Sequence, residues 1–497
     1  MMATISPLSN WALAARYPVP APARNAASAS APDGAAAPSS IVSLSPAGLA
    51  AARQAADAAP APPPSTAERF RDLGAAMLAR FATGAAVPVE RQALPDQLDN
   101  RFTLDVVTAA GTRVGLTLAS AGEETIVQVS ADGDLGEDER RALAGLAKGF
   151  QAAIDGMTMD APRLKLGELA GFDKDILQSV DLHAEVKRTV PAPSTQRLDF
   201  HADGERRKVD VDGPSGKIAL AVDAAQLESL GTRRQQDKAI ASYLRQFDDA
   251  AARGHADAGL MTMFKDAFAD MSRTAPQDEA GAATMALRRP WTLSKEDHAV
   301  LTGLADFKAS VTQTPQASNP LRRDEVDGFG YEVAQETSTA GASRKDRAIT
   351  QVQSARLSAQ YHEPLARNGE LKFDSAPEGQ NYDYHQIEDT ASSRVELGYR
   401  DGKLRTATLE QSAEQSERVR KVVLGRTLSD KTTPSQHRLV RDLLPTLAPY
   451  QPEQDSRLQE ASAEEKAQRR QLSLNALAEN VFLVGTSFGL RMRDRQL

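Results

Sequence analysis

The chain has 497 residues, 41% hydrophobic, 25% charged and only 5% aromatic, which is enough for two or three domains built on aliphatic cores. A formal net charge of −8 argues against nucleic-acid binding driven by overall charge. The absence of cysteine excludes disulfides, thiolate nucleophiles, zinc–thiolate sites and iron–sulfur clusters.

No run approaches the roughly 18–20 apolar residues that cross a bilayer, so no membrane insertion is expected. The N-terminus lacks a basic start followed by an apolar run, which points to a protein that is cytoplasmic or secreted without a cleaved signal peptide. Arg outnumbers Lys and Ala is abundant, a usage that reads as a GC-rich bacterial genome.

Residues 1–65 are rich in Ala, Pro and Ser, with Asp33 and Asp57 their only acidic residues. Such a composition buries too little apolar area to offset chain entropy and predicts a disordered N-terminal tail. Ser-rich, acid-poor tails also suit uncleaved signals of type III-type or flagellar export.

An α+β domain is expected over 66–272. Thr66 is read as the cap of a helix carrying Phe70, Leu73, Met77, Leu78 and Phe81. Phe102, Leu104 and Val106 alternate with polar neighbours, as do Val114, Leu116 and Leu118, and Thr125–Val129 makes a third strand. Glu137, Asp138 and Glu139 then open a helix whose Leu143, Leu146, Phe150, Ile154 and Met157 form one apolar stripe. Gly171–Leu177 reads as a short helical piece, and Val180 and Leu182 resume a strand. Asp203-Gly204 reads as a two-residue hairpin pairing Phe200 with Arg207 and Leu198 with Val209. Residues 224–272 read as helices, their Met261, Met263, Phe264, Phe268 and Met271 as core.

Residues 273–325 are read as a linker and a helix, Lys295–Ser310. Residues 326–430 are read as an antiparallel β-rich domain, with hairpins at Asn368-Gly369 and Asp401-Gly402. The second hairpin sets Tyr399 against Leu404, Leu397 against Thr406 and Val395 against Thr408. Residues 431–497 are read as C-terminal helices. The fold class is thus α+β, antiparallel β-meanders covered by amphipathic helices.

No phosphate-cradling Gly-rich loop, Gly-x-Ser-x-Gly elbow or His-Glu-x-x-His helix is present, so neither a cofactor nor a metal site is expected. The seven histidines are dispersed. The most suggestive group is Tyr382-Asp383-Tyr384-His385: on a strand, Asp383 and His385 share a face where a carboxylate can orient an imidazole, with Tyr361 and His362 on a neighbouring strand. Catalytic candidates are therefore Asp383, His385 and Tyr361. Arg418, Arg420 and Lys421 lie in a basic run that is either a solvated strand or a surface for an acidic partner.

Between about residues 40 and 185 the chain resembles a loose group of uncharacterised bacterial proteins. The likeness rests on Ser43-Leu44-Ser45-Pro46, Phe102-Thr103-Leu104-Asp105, Gly171-Phe172-Asp173 and Ser179-Val180-Asp181-Leu182, and it implies no activity. Two functions are expected in competition. One is a non-enzymatic interaction or scaffold protein with a protein partner. The other is a secreted effector enzyme with a site around Asp383 and His385.

Overall fold

The computed structural model describes residues 65–82, 95, 98–122, 124–188, 192–227, 231–273, 293–366, 369–447 and 480–496, with scattered positions between 464 and 477. The chain divides into Met1–Pro62 and Pro63–Leu497, and the described residues lie in the second unit. The expected tail falls outside them.

The second unit is built on one antiparallel sheet with thirteen described strands. β1 (Asn100–Thr108), β2 (Arg113–Ala121) and β3 (Glu124–Ala131) form a meander, and β4 (Leu177–Arg188) returns to the free side of β1. From there β5 (Ser194–Asp203), β6 (Arg206–Gly213), β7 (Gly216–Asp223), β8 (Phe307–Gln313) and β9 (Gly328–Ala340) add in chain order. β10 (Ala348–Pro364), β11 (Tyr382–Arg400), β12 (Lys403–Val423) and β13 (Arg426–Asp442) complete the sheet. These last four are long: the 21 residues of β12 span about 70 Å at the rise of an antiparallel strand.

The described α-helices longer than one turn are α1 (Leu73–Ala82), α2 (Glu137–Gly145), α3 (Ala147–Thr158), α4 (Arg233–Gly254), α5 (Ala258–Ser272), α6 (Lys295–Ala299) and α7 (Ser487–Gln496). One core cluster joins Leu143, Phe150 and Ile154 to Phe102, Leu104, Leu116 and Leu182, and extends to Met261, Phe264, Phe268 and Met271. Tyr243, Phe247, Phe268 and Phe307 meet edge to face at 5.0–5.4 Å in its middle. Among the described residues no helix is long and apolar enough to cross a membrane.

Local chemistry moves several expected boundaries. The N-cap of the first helical turn, Thr66–Arg69, is Ser65, which forms a capping box with Glu68. Asp72 then takes φ +58°, so α1 starts afresh at Leu73. The helix expected over Lys295–Ser310 is only the five residues of α6, because Phe307 opens β8. β8 pairs with β7 and β9, so the sheet runs unbroken through the stretch read as a linker. Residues 431–442, read as helical, are the greater part of β13. Val481–Thr486, within the stretch read as C-terminal helices, has no regular secondary structure.

Three turns also differ. Asp203 accepts hydrogen bonds from the backbone N–H of Glu205 and Arg206 at 2.7 and 2.6 Å, so the turn is Gly204-Glu205 and Phe200 faces Val209. That shift of two keeps every side chain on its face. Asn368 lies outside the described residues, and the long connection between β10 and β11 runs from Pro364 to its partner Tyr382. Asp401 and Gly402 do make a tight turn with φ +52° and +74°, setting Tyr399 against Leu404. A bulge then adds one residue to β12. Leu397 therefore meets Ala407 and Val395 meets Leu409, and it is Ala407 and Leu409 that are buried.

Candidate functional site

Tyr361 and His385 are direct cross-strand partners on β10 and β11. They share the helix-facing side of the sheet with the buried Ile387, Val395 and Leu397. His255 follows α4, in the left-handed conformation at its C-cap, and stacks on Tyr361 at 3.9 Å. Tyr361 stacks in turn on His385 at 4.8 Å, so the phenol lies between two imidazoles. His385 Nδ1 bonds Glu417 Oε1 at 3.0 Å. Its Nε2 is buried 3.3 Å from Glu363 Oε2, without hydrogen-bond geometry. Arg253, two residues before His255 in the last turn of α4, forks onto Asp389 and reaches Glu417 Oε2 at 3.4 Å.

The structure therefore brings two of the three catalytic candidates together and supplies Glu417 and Glu363, from β12 and β10, as the carboxylates beside the imidazole. Asp383 shares the face of His385, and its Oδ1 is buried with no hydrogen-bond partner among the described residues. Burial pushes the Glu417 carboxyl up, but the bond from His385 and the charge of Arg253 outweigh it and hold it below its usual value. Burial and the charges of Glu417 and Glu363 push the Tyr361 phenol up to about 12. A carboxylate held ionised and a phenol held protonated are poorly matched to proton transfer near neutrality. The arrangement suits anchoring of the α4 C-terminus to three strands.

The opposite face carries a second polar cluster at the same end of these strands. His362, Tyr384, Arg420 and Asp430 stand directly opposite one another on β10 to β13. The segment leading to β9 laps over them. Glu325 Oε2 accepts from Tyr382 Oη at 2.6 Å and lies 3.2 Å from His362 Nε2, while its Oε1 accepts from Arg420 at 3.0 Å and Arg322 at 3.2 Å. Asp327 Oδ1 meets His362 Nδ1 at 2.6 Å. The rings of Phe373, Tyr382 and Tyr384 surround the imidazole at 4.7–4.8 Å. Burial pushes Glu325 up, yet its bonds to His362, Tyr382 and Arg420 hold it down at about 2. Burial pulls His362 down, and its two carboxylates outweigh this and raise it.

Sequence order put His362 beside Tyr361 but gave no sign of Glu325 or Asp327. Glu325 lies just before the β-rich region expected from residue 326, and Asp327 at its very start. The cluster also accounts for two of the basic candidates: Arg420 bonds Glu325 and Asp430, and Arg418 forks onto Asp430 at 2.7 Å. Lys421 is exposed and stands opposite Asp383.

An open cleft of about 580 Å³ lies elsewhere, over β7 to β9. The Gln226 amide bridges Asp223 at 2.7 Å and Asp306 at 3.1 Å there, and burial raises the Asp306 carboxyl. Among the described residues, no three carboxylates or imidazoles are arranged to hold a metal ion. No protein-family model, curated protein or solved structure matches the chain.

Proposed function

We propose that this chain is a bacterial interaction or scaffold protein, exported by a type III-type or flagellar route, that binds a protein partner along β13, the edge strand of its described sheet. The observation that carries this is β13. It is the last described strand of the sheet, 17 residues long, and exposes Leu428 at 65% and Val440 at 62%, on either side of Ser435 to His437, which Ser487, Arg491 and Asp494 of α7 contact. An edge strand offers main-chain donors and acceptors to an added strand, and apolar side chains beside them favour a specific partner. Pro434 and Lys431 limit indiscriminate pairing along the same edge. Export is read from the composition of residues 1–65.

A photo-cross-linking residue at Val440 of the intact chain is expected to give one dominant adduct in cells that make the protein. Lys217, exposed on the internal strand β7, is the control position. Equal labelling from both positions would sink the edge reading. A reporter fused to residues 1–65 is expected to leave a bacterium with an active type III or flagellar exporter, and its retention would remove the export reading alone.

The pairing of Tyr361 with His385 favours a second reading, a secreted effector enzyme working through Asp383 and His385. On that reading His385→Gln abolishes the effect of the protein on a recipient cell and leaves the Val440 adduct intact.

A further inference from the structure

Where α7 crosses β12 and β13, two arginines come together without a carboxylate. Arg493, in the last turn of α7, donates through Nη1 alone, to Gln411 Oε1 at 3.1 Å, Asn480 O at 2.7 Å and Phe482 O at 2.8 Å. Arg441 lies on the same face of the sheet, on β13 two residues beyond Leu439, the cross-strand partner of Gln411. Both arginines are half-buried. Among the described residues, no carboxylate bonds either guanidinium. The acids beside them in the chain and on β12 are engaged elsewhere: Asp494 with His437 at 3.3 Å, Glu410 with Arg438, and Asp442 with the backbone N–H of Leu444 at 2.8 Å.

Elsewhere in the unit, Arg253 forks onto Asp389 and Arg418 onto Asp430 through Nε and Nη2, the edge that matches two oxygens of one group. On Arg493 that edge holds no bond among the described residues, and neither nitrogen is sealed from solvent. The bond to Asp389 raises Arg253, whereas burial and then the charge of Arg441 pull the Arg493 guanidinium down to about 10. Arg493 is still charged at neutrality at that value. Two like charges therefore act on each other half out of water, and an anion at the free edge relieves both the repulsion and the lost solvation.

We propose that Arg493 and Arg441 form a binding site for a phosphate group, held by the Nε–Nη2 edge of Arg493 and by the guanidinium of Arg441. Two cations match the charge of a phosphate dianion better than that of a carboxylate, and the planar fork presents donors to two of its oxygens. Nη1 of the same guanidinium holds Asn480 and Phe482, so the bound phosphate ties α7 to the segment before it and to the sheet. The inference is independent of the edge reading above.

The test is hydrogen exchange of the α7 amides from Leu490 to Asp494 in the intact chain, at constant ionic strength in chloride, as inorganic phosphate is added. Exchange is expected to slow saturably, about tenfold at ten times the half-saturating concentration, because phosphate binds only while α7 is seated. Arg441→Gln leaves the Nη1 contacts in place and is expected to raise the half-saturating concentration about tenfold or more, the loss of a charge-assisted hydrogen bond. Arg495→Gln, which changes an exposed arginine of the same turn, should leave the response as it was. Glycerol 3-phosphate, run alongside, tells a site for a carried phosphate from one for the free ion by which of the two binds tighter. Acetate is expected to bind about tenfold or more weakly than phosphate. No saturable slowing, a response that survives Arg441→Gln, or one that acetate or chloride reproduces equally well overturns the proposal.

Discussion

His362 shows how a single side chain can hold two parts of the molecule in register. Its side chain is fully buried between Glu325 and Asp327, with carboxylates on both ring nitrogens. His362→Gln keeps the size of the side chain but leaves two carboxylates facing a neutral amide. Urea unfolding at pH 6 should show a loss of about 3–5 kcal/mol, the cost of breaking a buried pair from one side. Because folding raises the pKa of His362, its contribution is complete below its unfolded value of about 6.5 and fades as pH rises through the folded value. The gap between wild type and variant should therefore narrow from pH 6 to pH 9. Glu325 has the opposite sign. Its folded value of about 2 lies below the ordinary 4.5, so its contribution is present above pH 4.5 and is lost as pH falls toward 2. Glu325→Gln should accordingly flatten the acid limb of stability against pH.

Among the elements, α4 meets the sheet most closely at its C-terminal turn. A Cβ on Gly254 would stand 2.6 Å from the Phe329 ring and 2.9 Å from Ala359 Cβ. Ala normally improves a helix over Gly, but here the helix must lift off β9 and β10. Gly254→Ala is expected to lower stability by about 1–3 kcal/mol, read from the midpoint of denaturant unfolding. The β11–β12 turn is a second such point. Gly402 holds φ +74°, so Gly402→Val should cost about 1–3 kcal/mol and loosen the adjoining β11–β12 ladder, read by amide hydrogen exchange at Tyr399 and Leu404. The bulge beyond that turn decides which side of β12 is buried. Arg405 is the extra residue, so its deletion keeps Leu397 against Ala407 and Val395 against Leu409 in an unbroken ladder, and the folded state is expected to survive on a denaturant curve.

At the scale of the whole unit, the short β8 decides how the halves behave. It joins the ladder from β7 to β9, and Phe307 at its start packs on Tyr243 at 5.1 Å and Phe268 at 5.0 Å. Phe307→Ala is expected to cost about 3–5 kcal/mol. Strands on both sides of β8 should lose protection in one step, because a continuous sheet transmits the cavity to both neighbours. Hydrogen exchange that reports two separate transitions, one for residues 66–223 and one for 328–442, would contradict this.

Alternation of Phe102, Leu104 and Val106, the stripe from Leu143 to Met157, and the Asp401-Gly402 turn were legible in the chain because each depends on neighbours within a few residues. The same local rules brought Tyr361 near His385. They missed Glu325 and Asp327, and the buried Gln335 on β9, Gln353 on β10 and Gln411 on β12, which donate to main-chain carbonyls of segments laid over the sheet. The sequence by itself determined an antiparallel α+β unit, since period and turn chemistry act over short range. Only the tertiary structure decided that its strands join in a single sheet, that a bulge reverses the faces of β12, and that the ionisable side chains around His362 neutralise one another. Those outcomes depend on register and on contacts between residues far apart in the chain, which no local pattern encodes.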